Sequence, residues 1–351
     1  MKKLTILLGL IFLSASCGFG GSSALGVVKT INGGVDWQFF NEVGGENKGN
    51  INTTQISKMS FDPQNSAKVF IGSYNHGLFV SENSGESWRQ ILSKVSVYDF
   101  ATDPFDSEII YAGGIFGDFG KLLKTEDGGG SWQEVYNESS SQNAVRAIAV
   151  NPGNPNQVVI GTTSGNLIVS SDSGLSWQLL ENFKDRINRV SWQEGKLYVL
   201  LKSKGLNVSL DGGQNFENLT KNLSEKFRIS GGVSINSERV SRFNRFFVDS
   251  VSDSLIYLAT SKGVYKSIDA GVSWEKMNLP VKETNTDVWS ISVAKTSSNL
   301  VFASVGSTIY KSVDSGVSWQ TQSITTNGFV NDIIIDPNLP QIVYAGLFAS
   351  Q

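Results

Sequence analysis

The side chains best suited to bind a ligand recur at the starts of seven short strand patterns. Each pattern begins with an apolar residue, and the two positions after it are mostly polar, charged or aromatic. The apolar residues are Ile56, Val97, Val145, Ile187, Phe243, Val288 and Val330. The candidate binding residues that follow them are Lys58, Tyr98, Arg146, Arg189, Arg245 and Trp289. Because arginine presents a planar set of donors and aromatic rings present stacking platforms, this pattern predicts a binding surface.

Two carboxylates occupy the same positions and offer a different chemistry. Asp99 and Asp332 each follow an apolar residue by two places. A glycoside hydrolase needs two carboxyl groups roughly 5–10 Å apart, so these aspartates are the catalytic candidates if the protein is an enzyme. A third interpretation is structural, in which arginine and aspartate pair around a water-filled channel only to satisfy each other.

Other catalytic equipment is sparse in the sequence. His76 is the only histidine and Cys17 the only cysteine, so neither a Ser-His-Asp triad nor a zinc site can be assembled from the usual residues. No glycine-rich loop of the phosphate-binding type is present. We therefore expect no metal and no cofactor, and we favour a non-catalytic protein, with Asp99 and Asp332 as the enzymatic alternative.

A repeated motif explains how these residues are positioned. The pattern Ser/Thr-x-Asp/Asn-x-Gly-x-x-Trp/Phe occurs seven times. Asp or Asn accepts hydrogen bonds from turn N–H groups, Gly adopts positive φ, and a Trp buries about 150–250 Å². Each copy therefore predicts a β-hairpin closed by its own polar side chains. The Asp and Asn residues, which we expect to be structural, are Asn32, Asn83, Asp127, Asp172, Asp211, Asp269 and Asp314.

The spacing of the motifs predicts the fold. Successive copies begin 39 to 58 residues apart, and three of the six intervals are 44 or 45 residues, which fits one four-stranded propeller blade per repeat. Residues 27–40 contain one hairpin alone, and two strand patterns at residues 329–346 lack a motif. The two ends together complete one blade and leave no open sheet edge. We predict an all-β chain with a single seven-bladed propeller over residues 27–351, whose inner strands bring the candidate residues to one mouth of the central channel.

The motif resembles the Asp-box, or BNR, repeat of sortilin-type receptors, sialidases, xyloglucan-cleaving glycoside hydrolases and photosystem II stability/assembly factor-like propellers. The resemblance extends over nearly the whole chain from Val27 onward. It implies that the motif aspartates are structural and lie away from the ligand. The assembly-factor relatives are associated with an arginine-rich face, which Arg146, Arg189 and Arg245 would form here. The xyloglucan-cleaving relatives use two propellers for their cleft, whereas this chain has one.

The N-terminus has the pattern of an export signal. Two lysines precede an apolar run of ten residues at positions 4–13, which is too short to span a bilayer and typical of a signal peptide. The small residues before Cys17 resemble a bacterial lipobox, although Ser14 stands where that motif prefers Leu. We predict a signal peptide at residues 1–16 and, at residues 17–26, a lipidated Cys17 with a Gly/Ser-rich flexible tether. An ordinary signal peptide and a secreted protein are the alternative.

Composition narrows the class of protein further. The 351 residues carry a net charge of −3, which argues against a dedicated nucleic-acid binder. A single cysteine allows no disulfide framework. Two functional hypotheses follow. The first is an extracytoplasmic lipoprotein, anchored by lipid alone, that binds a protein partner in the cell envelope through the propeller mouth. The second is a surface protein that binds or cleaves a glycan, with Tyr98 and Trp289 as sugar platforms.

Overall fold

The computed structural model describes residues 24–44, 48–224, 240–249, 252, 254–282 and 286–349. Seven four-stranded antiparallel sheets form a seven-bladed β-propeller, which confirms the predicted fold. The predicted signal peptide, Cys17 and most of the tether lie outside the described residues. Within the described residues, no helix is long and apolar enough to cross a membrane.

The blades follow one another along the chain. The first strands are β1 (Gly26–Thr30), β2 (Gln38–Phe39), β3 (Glu42–Val43) and β4 (Gly49–Asn50). Blade one consists of β5 (Gln55–Phe61), β6 (Val69–Tyr74), β7 (Gly77–Ser81) and β8 (Arg89–Leu92). Blade two consists of β9 (Ser96–Thr102), β10 (Ile110–Phe116), β11 (Phe119–Thr125) and β12 (Gln133–Ser141). Blade three consists of β13 (Val145–Asn151), β14 (Asn154–Thr162), β15 (Asn166–Ser170) and β16 (Gln178–Asn182).

The second half of the chain repeats this order. Blade four consists of β17 (Ile187–Gln193), β18 (Lys196–Leu201), β19 (Gly205–Ser209) and β20 (Glu217–Asn218), and a short helix α1 (Lys221–Ser224) follows it. Blade five consists of β21 (Phe243–Val248), β22 (Ile256–Thr260), β23 (Gly263–Ser267) and β24 (Glu275–Lys276). Blade six consists of β25 (Val288–Ala294), β26 (Ser297–Val305), β27 (Thr308–Ser312) and β28 (Gln320–Ser323). The last strands are β29 (Gly328–Ile335) and β30 (Val343–Ala349).

Blade seven is shared by the two ends of the chain, as the sequence predicts. Its strand order is β2-β1-β30-β29, and β1 pairs antiparallel with β30 from Gly26 opposite Leu347 to Thr30 opposite Val343. The ring is therefore closed by backbone hydrogen bonds between the first and last described strands. Closure completes a four-stranded sheet that neither end of the chain could form alone.

The apolar core lies between neighbouring blades. The second strand of a blade is buried on both faces, as the fully buried β22 shows. One cluster joins Val27 and Tyr344 of blade seven to Ile56, Ile71 and Trp88 of blade one. Similar clusters connect the other blades. The inner strands β5, β9, β13, β17, β21, β25 and β29 contact one another in sequence around the axis. All seven begin at the same end of the ring, which we call the mouth.

The motif turns are closed by hydrogen bonds at the opposite end of the ring. In blade five, the Ser267 hydroxyl donates to Asp269 at 2.7 Å and accepts from the Gly271 N–H at 2.8 Å. Asp269 also accepts from the Ser273 hydroxyl and N–H, and these bonds, with that from Ser267, lower the pKa of Asp269 to about 2. Ala270 and Gly271 both have positive φ, at 58° and 91°. Glycine at the second of these positions removes the steric penalty there.

Four of the motif tryptophans tie a blade to the one before it. Trp88 Nε1 donates to the Phe40 carbonyl at 2.7 Å, at the end of the outer strand of blade seven. Trp132, Trp177 and Trp274 make the corresponding bonds to Ile91, Val135 and Leu219. The indole N–H groups of Trp37 and Trp319 have no such partner among the described residues. Each bonded indole therefore serves both as core and as an inter-blade hydrogen bond.

Candidate binding site at the propeller mouth

The first position after each apolar residue divides into two groups. In four blades a small polar side chain donates to a carbonyl of the next blade. These bonds are Ser57 to Val97 at 2.6 Å, Asn188 to Phe243 and Asn244 to Val288 at 2.7 Å each, and Asn331 to Ile56 at 2.9 Å. In the other three blades the residues are Tyr98, Arg146 and Trp289, which line the central cavity. The four small polar residues line the cavity as well, so the ring is cavity wall throughout and an inter-blade contact in four of the seven blades.

The second position forms the floor beneath the cavity. Asp99 Oδ2 accepts the backbone N–H of Ile148 in the next blade at 2.8 Å. Asp332 Oδ2 accepts that of Met59 at 2.7 Å, across the closure from blade seven to blade one. The side chains of Asp99 and Asp332 are only 1% and 0% exposed. Both aspartates therefore hold adjacent blades together, and neither lines the cavity.

Cations cover these buried carboxylates. Lys58 Nζ lies 2.5 Å from Asp99 Oδ1, and Arg189 Nη1 lies 3.8 Å from the same atom. Arg245 Nη2 lies 2.9 Å from Asp332 Oδ1. Burial lowers the pKa of Lys58, and the Coulombic effect of Asp99 opposes this shift. Burial, followed by repulsion from Arg189, lowers the pKa of Arg245 to about 10.

The cavity above this floor has a volume of about 730 Å³. It contains five of the six predicted binding residues: Tyr98, Arg146, Arg189, Arg245 and Trp289. Lys58 is not among the lining residues, because its ammonium group is directed to Asp99 and to the Phe100 carbonyl at 2.7 Å. The structure therefore brings most of the predicted residues together but places Lys58 in the floor.

One side of the cavity is a continuous series of aromatic rings, which we call the aromatic arc. Its members in order are Tyr98, Tyr74, Phe348, Phe329 and Trp289. Successive ring centroids are 4.7, 4.9, 5.5 and 4.5 Å apart, within the range of favourable aromatic pairs. An arginine stacks at each end, Arg146 at 4.3 Å from Tyr98 and Arg242 at 5.1 Å from Trp289.

The other side carries the positive charge, and we call it the cationic arc. Its members are Arg146, Arg186, Arg189, Lys202, Arg242 and Arg245. Asp287, which pairs with Arg242, is the single carboxylate that lines the cavity within the described residues. The chain as a whole is slightly negative, so this concentration of cations is local to the mouth.

Two guanidinium groups in the cationic arc have no carboxylate partner among the described residues. Arg146 stacks on Tyr98 and lies 3.5 Å from the Tyr74 hydroxyl. Arg186 donates to Asn188 Oδ1 at 2.9 Å. Burial, followed by repulsion from Arg146, lowers the pKa of Arg186. An anionic group placed between them would relieve that repulsion, since guanidinium pairs strongly with carboxylate.

Sequence reasoning missed six of the eleven aromatic and cationic residues that line the cavity. The missed residues are Tyr74, Arg186, Lys202, Arg242, Phe329 and Phe348. Arg186, Arg242 and Phe329 precede Asn188, Asn244 and Asn331 by two places, and strand side chains repeat with period two. The alternation could therefore have identified these three. Tyr74 and Phe348 lie opposite Gln55 and Phe329 on the second strands, so finding them requires the strand register.

Comparison with known proteins supports the propeller fold. The family model described as Sortilin, neurotensin receptor 3, matches residues 76–205. The match includes three of the seven motifs. This part of the chain is similar to sortilin. The match covers less than half of the sequence, and no curated protein shows significant similarity to the chain.

Solved structures share the propeller at low sequence identity. A GH74 xyloglucanase from Xanthomonas campestris has a TM-score of 0.66 at 15% identity, over 89% of this chain and 52% of its own. A GH74 enzyme from Niastella koreensis has a TM-score of 0.64 at 18% identity, over 91% and 52%. YCF48 bound to a D1 peptide has a TM-score of 0.61 at 16% identity, over 85% and 94%. The chain spans about half the length of the two GH74 structures. At these identities the likeness shows the fold alone.

Proposed function

We propose that this protein is a non-catalytic binding protein of the cell envelope that docks a segment of a protein partner in the mouth cavity. The observation that carries this proposal is the two-sided cavity, in which a cationic arc faces an aromatic arc. Arg146 and Arg186 provide guanidinium groups without carboxylate partners among the described residues. A ligand that fits both sides has acidic groups beside apolar ones.

Electrostatics favours an acidic segment. A cavity lined by one sign of charge with low-dielectric walls concentrates the field and attracts the opposite charge. Guanidinium binds carboxylate with two parallel hydrogen bonds, while rings such as Trp289 and Phe329 bury apolar side chains. A polypeptide supplies carboxylates and apolar side chains in alternation, which suits two facing arcs.

The size and rigidity of the site favour an extended segment. A cavity of about 730 Å³ is within the range of sites that hold small ligands, so it accommodates a short stretch of chain and excludes a folded domain. The lining residues lie at the ends of strands that bond directly to the next blade, as Asn188 and Asn331 do. Such a preformed site loses little entropy when it binds. A propeller of similar fold, YCF48, has been solved bound to a D1 peptide, which is consistent with a peptide ligand.

The N-terminal sequence supports a location outside the cytoplasm. We propose that residues 1–16 are removed and that Cys17 carries a lipid, as the small residues before it suggest. A propeller held at a membrane by lipid alone would meet partners in the cell envelope. A secreted form without lipid is the alternative at this terminus.

The buried carboxylates argue against a hydrolase. Asp99 and Asp332 are covered by Lys58, Arg189 and Arg245 and accept backbone hydrogen bonds. A general acid must instead reach the substrate with a proton at neutral pH. We therefore propose no second function based on these residues.

Charge reversal at the unpaired arginines is expected to abolish binding of an acidic peptide. The probe is an eight-residue peptide in which aspartate and phenylalanine alternate, titrated by calorimetry. The double variant Arg146→Glu/Arg186→Glu should raise the Kd at least about 100-fold, because two favourable charge pairs become repulsive. Thermal unfolding should show that the variant remains folded.

The matched control makes the same change of charge away from the cavity. Arg89→Glu/Lys295→Glu alters two exposed residues and should bind the probe with nearly the affinity of the native protein. A probe peptide with lysine in place of aspartate should bind neither the native protein nor the Arg89→Glu/Lys295→Glu control. Equal affinity of the Arg146/Arg186 variant and the control for the acidic probe would refute the proposed function.

A further inference from the structure

The chain enters the propeller at the rim of the mouth. Gly26 pairs with Leu347, which lies opposite Val330 at the start of an inner strand. Leu25 N–H donates to the Asn52 carbonyl at 2.6 Å, and the Ala24 carbonyl accepts from the Thr326 hydroxyl at 2.7 Å. Residues 24–26 are thus fixed between blades seven and one, beside the aromatic arc.

The short distance along the chain limits where residue 17 can lie. Ala24 follows Cys17 by seven positions, so the span between the two residues is at most about 25 Å when fully extended. A Gly/Ser-rich chain of this length has a root-mean-square span of about 15 Å. An inner strand of eight residues such as β29 is itself about 26 Å long. A group attached at Cys17 therefore stays on the mouth side unless the segment is stretched along the full height of the ring.

The positive charge of the mouth also favours an orientation in which the mouth faces the membrane. Anionic lipids attract basic residues within about a Debye length of the surface. The cationic arc lies on the end of the ring where the chain enters, whereas exposed aliphatic residues such as Leu175 and Val317 lie in the motif turns at the opposite end. Tether and charge thus direct the same face toward the membrane.

We propose that the mouth faces the membrane to which Cys17 is anchored, and that its ligand is a membrane-proximal acidic segment of an integral membrane protein. This inference rests on the proposed function and on lipidation of Cys17. The gap between mouth and lipid is at most about 25 Å, so the partner segment must lie close to the bilayer. A partner in the same membrane meets the mouth at a high effective concentration.

Two labels on one blade test the orientation. The lipidated protein, with lipidation verified by mass spectrometry, is placed in phosphatidylcholine/phosphatidylglycerol vesicles. Ser164→Cys lies in the mouth-side turn before β15, and Leu175→Cys lies in the motif turn after it, where Leu175 is 86% exposed. A fluorophore on each cysteine transfers energy to an acceptor dye in the lipid headgroups. The Ser164 label should lie about 20 Å nearer to the lipid than the Leu175 label.

Lengthening the tether provides the control. Insertion of twenty Gly/Ser residues after Ser23 should remove most of the difference between the labels. The acidic probe peptide, attached to a lipid headgroup by a two-residue linker, should bind the native tethered protein on the same vesicle.

Several results would overturn the inference: an unlipidated Cys17, equal transfer from both labels, a nearer Leu175 label, or no binding of the short-linked peptide. Mouth-dependent binding of a Cys17→Ala variant to peptide-free vesicles would identify lipid itself as the ligand. Titration of the same proteins with the acidic probe peptide in detergent tests the proposed function separately. Binding in detergent together with any of these results would overturn the orientation alone, whereas no binding in detergent would overturn the proposed function.

Discussion

Replacing Arg245 by alanine is expected to lower the free energy of unfolding by about 3–5 kcal/mol. Asp332 is fully buried, and Arg245 is its one ion-pair partner among the described residues, at 2.9 Å. Without the guanidinium, the carboxylate keeps its hydrogen bond from the Met59 N–H but loses its counter-charge. A buried charge without compensation is strongly unfavourable. Equilibrium unfolding in denaturant measures the difference.

Removing both charges provides the matched control. Arg245→Met/Asp332→Asn keeps a side chain of similar length and an amide oxygen that can still accept from Met59. This double variant should recover most of the lost stability, because replacing both partners of a buried pair is often close to neutral. Arg186→Ala, which removes a guanidinium without a carboxylate partner, should cost much less than Arg245→Ala. If the Arg245→Ala and Arg186→Ala variants unfold alike, the floor is not held by this ion pair.

Replacing Trp88 by alanine is expected to lower the free energy of unfolding by about 3–5 kcal/mol. The side chain is 1% exposed and packs among residues of blades seven and one. Its loss leaves a cavity at the seam where the two ends of the chain close the ring. It also leaves the Phe40 carbonyl without its indole donor. Denaturant unfolding again provides the measurement.

Trp88→Phe separates packing from hydrogen bonding. Phenylalanine keeps most of the buried surface, and blade four already uses Phe216 at the corresponding position, with its ring 5.1 Å from that of Phe183. This variant should cost only about 1–2 kcal/mol, the scale of a lost hydrogen bond plus a small void. If Trp88→Phe is as costly as Trp88→Ala, the indole hydrogen bond dominates and packing is secondary.

The fold could be predicted from the sequence because each motif forms a local structure. The Asp, Gly and Trp of one copy interact within a few residues or with the adjacent blade, so their spacing reports blade length directly. Seven copies with six full intervals, plus the unmatched strands at the two ends, therefore predicted the number of blades and the closure through β1 and β30.

The binding site could be predicted only in part from the sequence, because contacts between neighbouring blades decide which side chains reach the cavity. Comparison of equivalent positions on the inner strands identified Tyr98, Arg146, Arg189, Arg245 and Trp289 as cavity residues. It could not show that Lys58 is drawn into the floor, because that depends on Asp99 of the next blade. Nor could it distinguish arginines paired with buried carboxylates from the unpaired Arg146 and Arg186. This distinction decides which arginines test binding without unfolding the ring.

The most direct test of the account is affinity capture of partners from detergent-solubilised envelopes of the native host. The full-length lipidated protein, the Arg146→Glu/Arg186→Glu variant and the Arg89→Glu/Lys295→Glu control are compared by quantitative mass spectrometry. We expect a defined set of membrane proteins to be captured by the native protein and the control and lost with the mouth variant. Capture of the same proteins by all three would contradict the claim that the mouth is the docking surface.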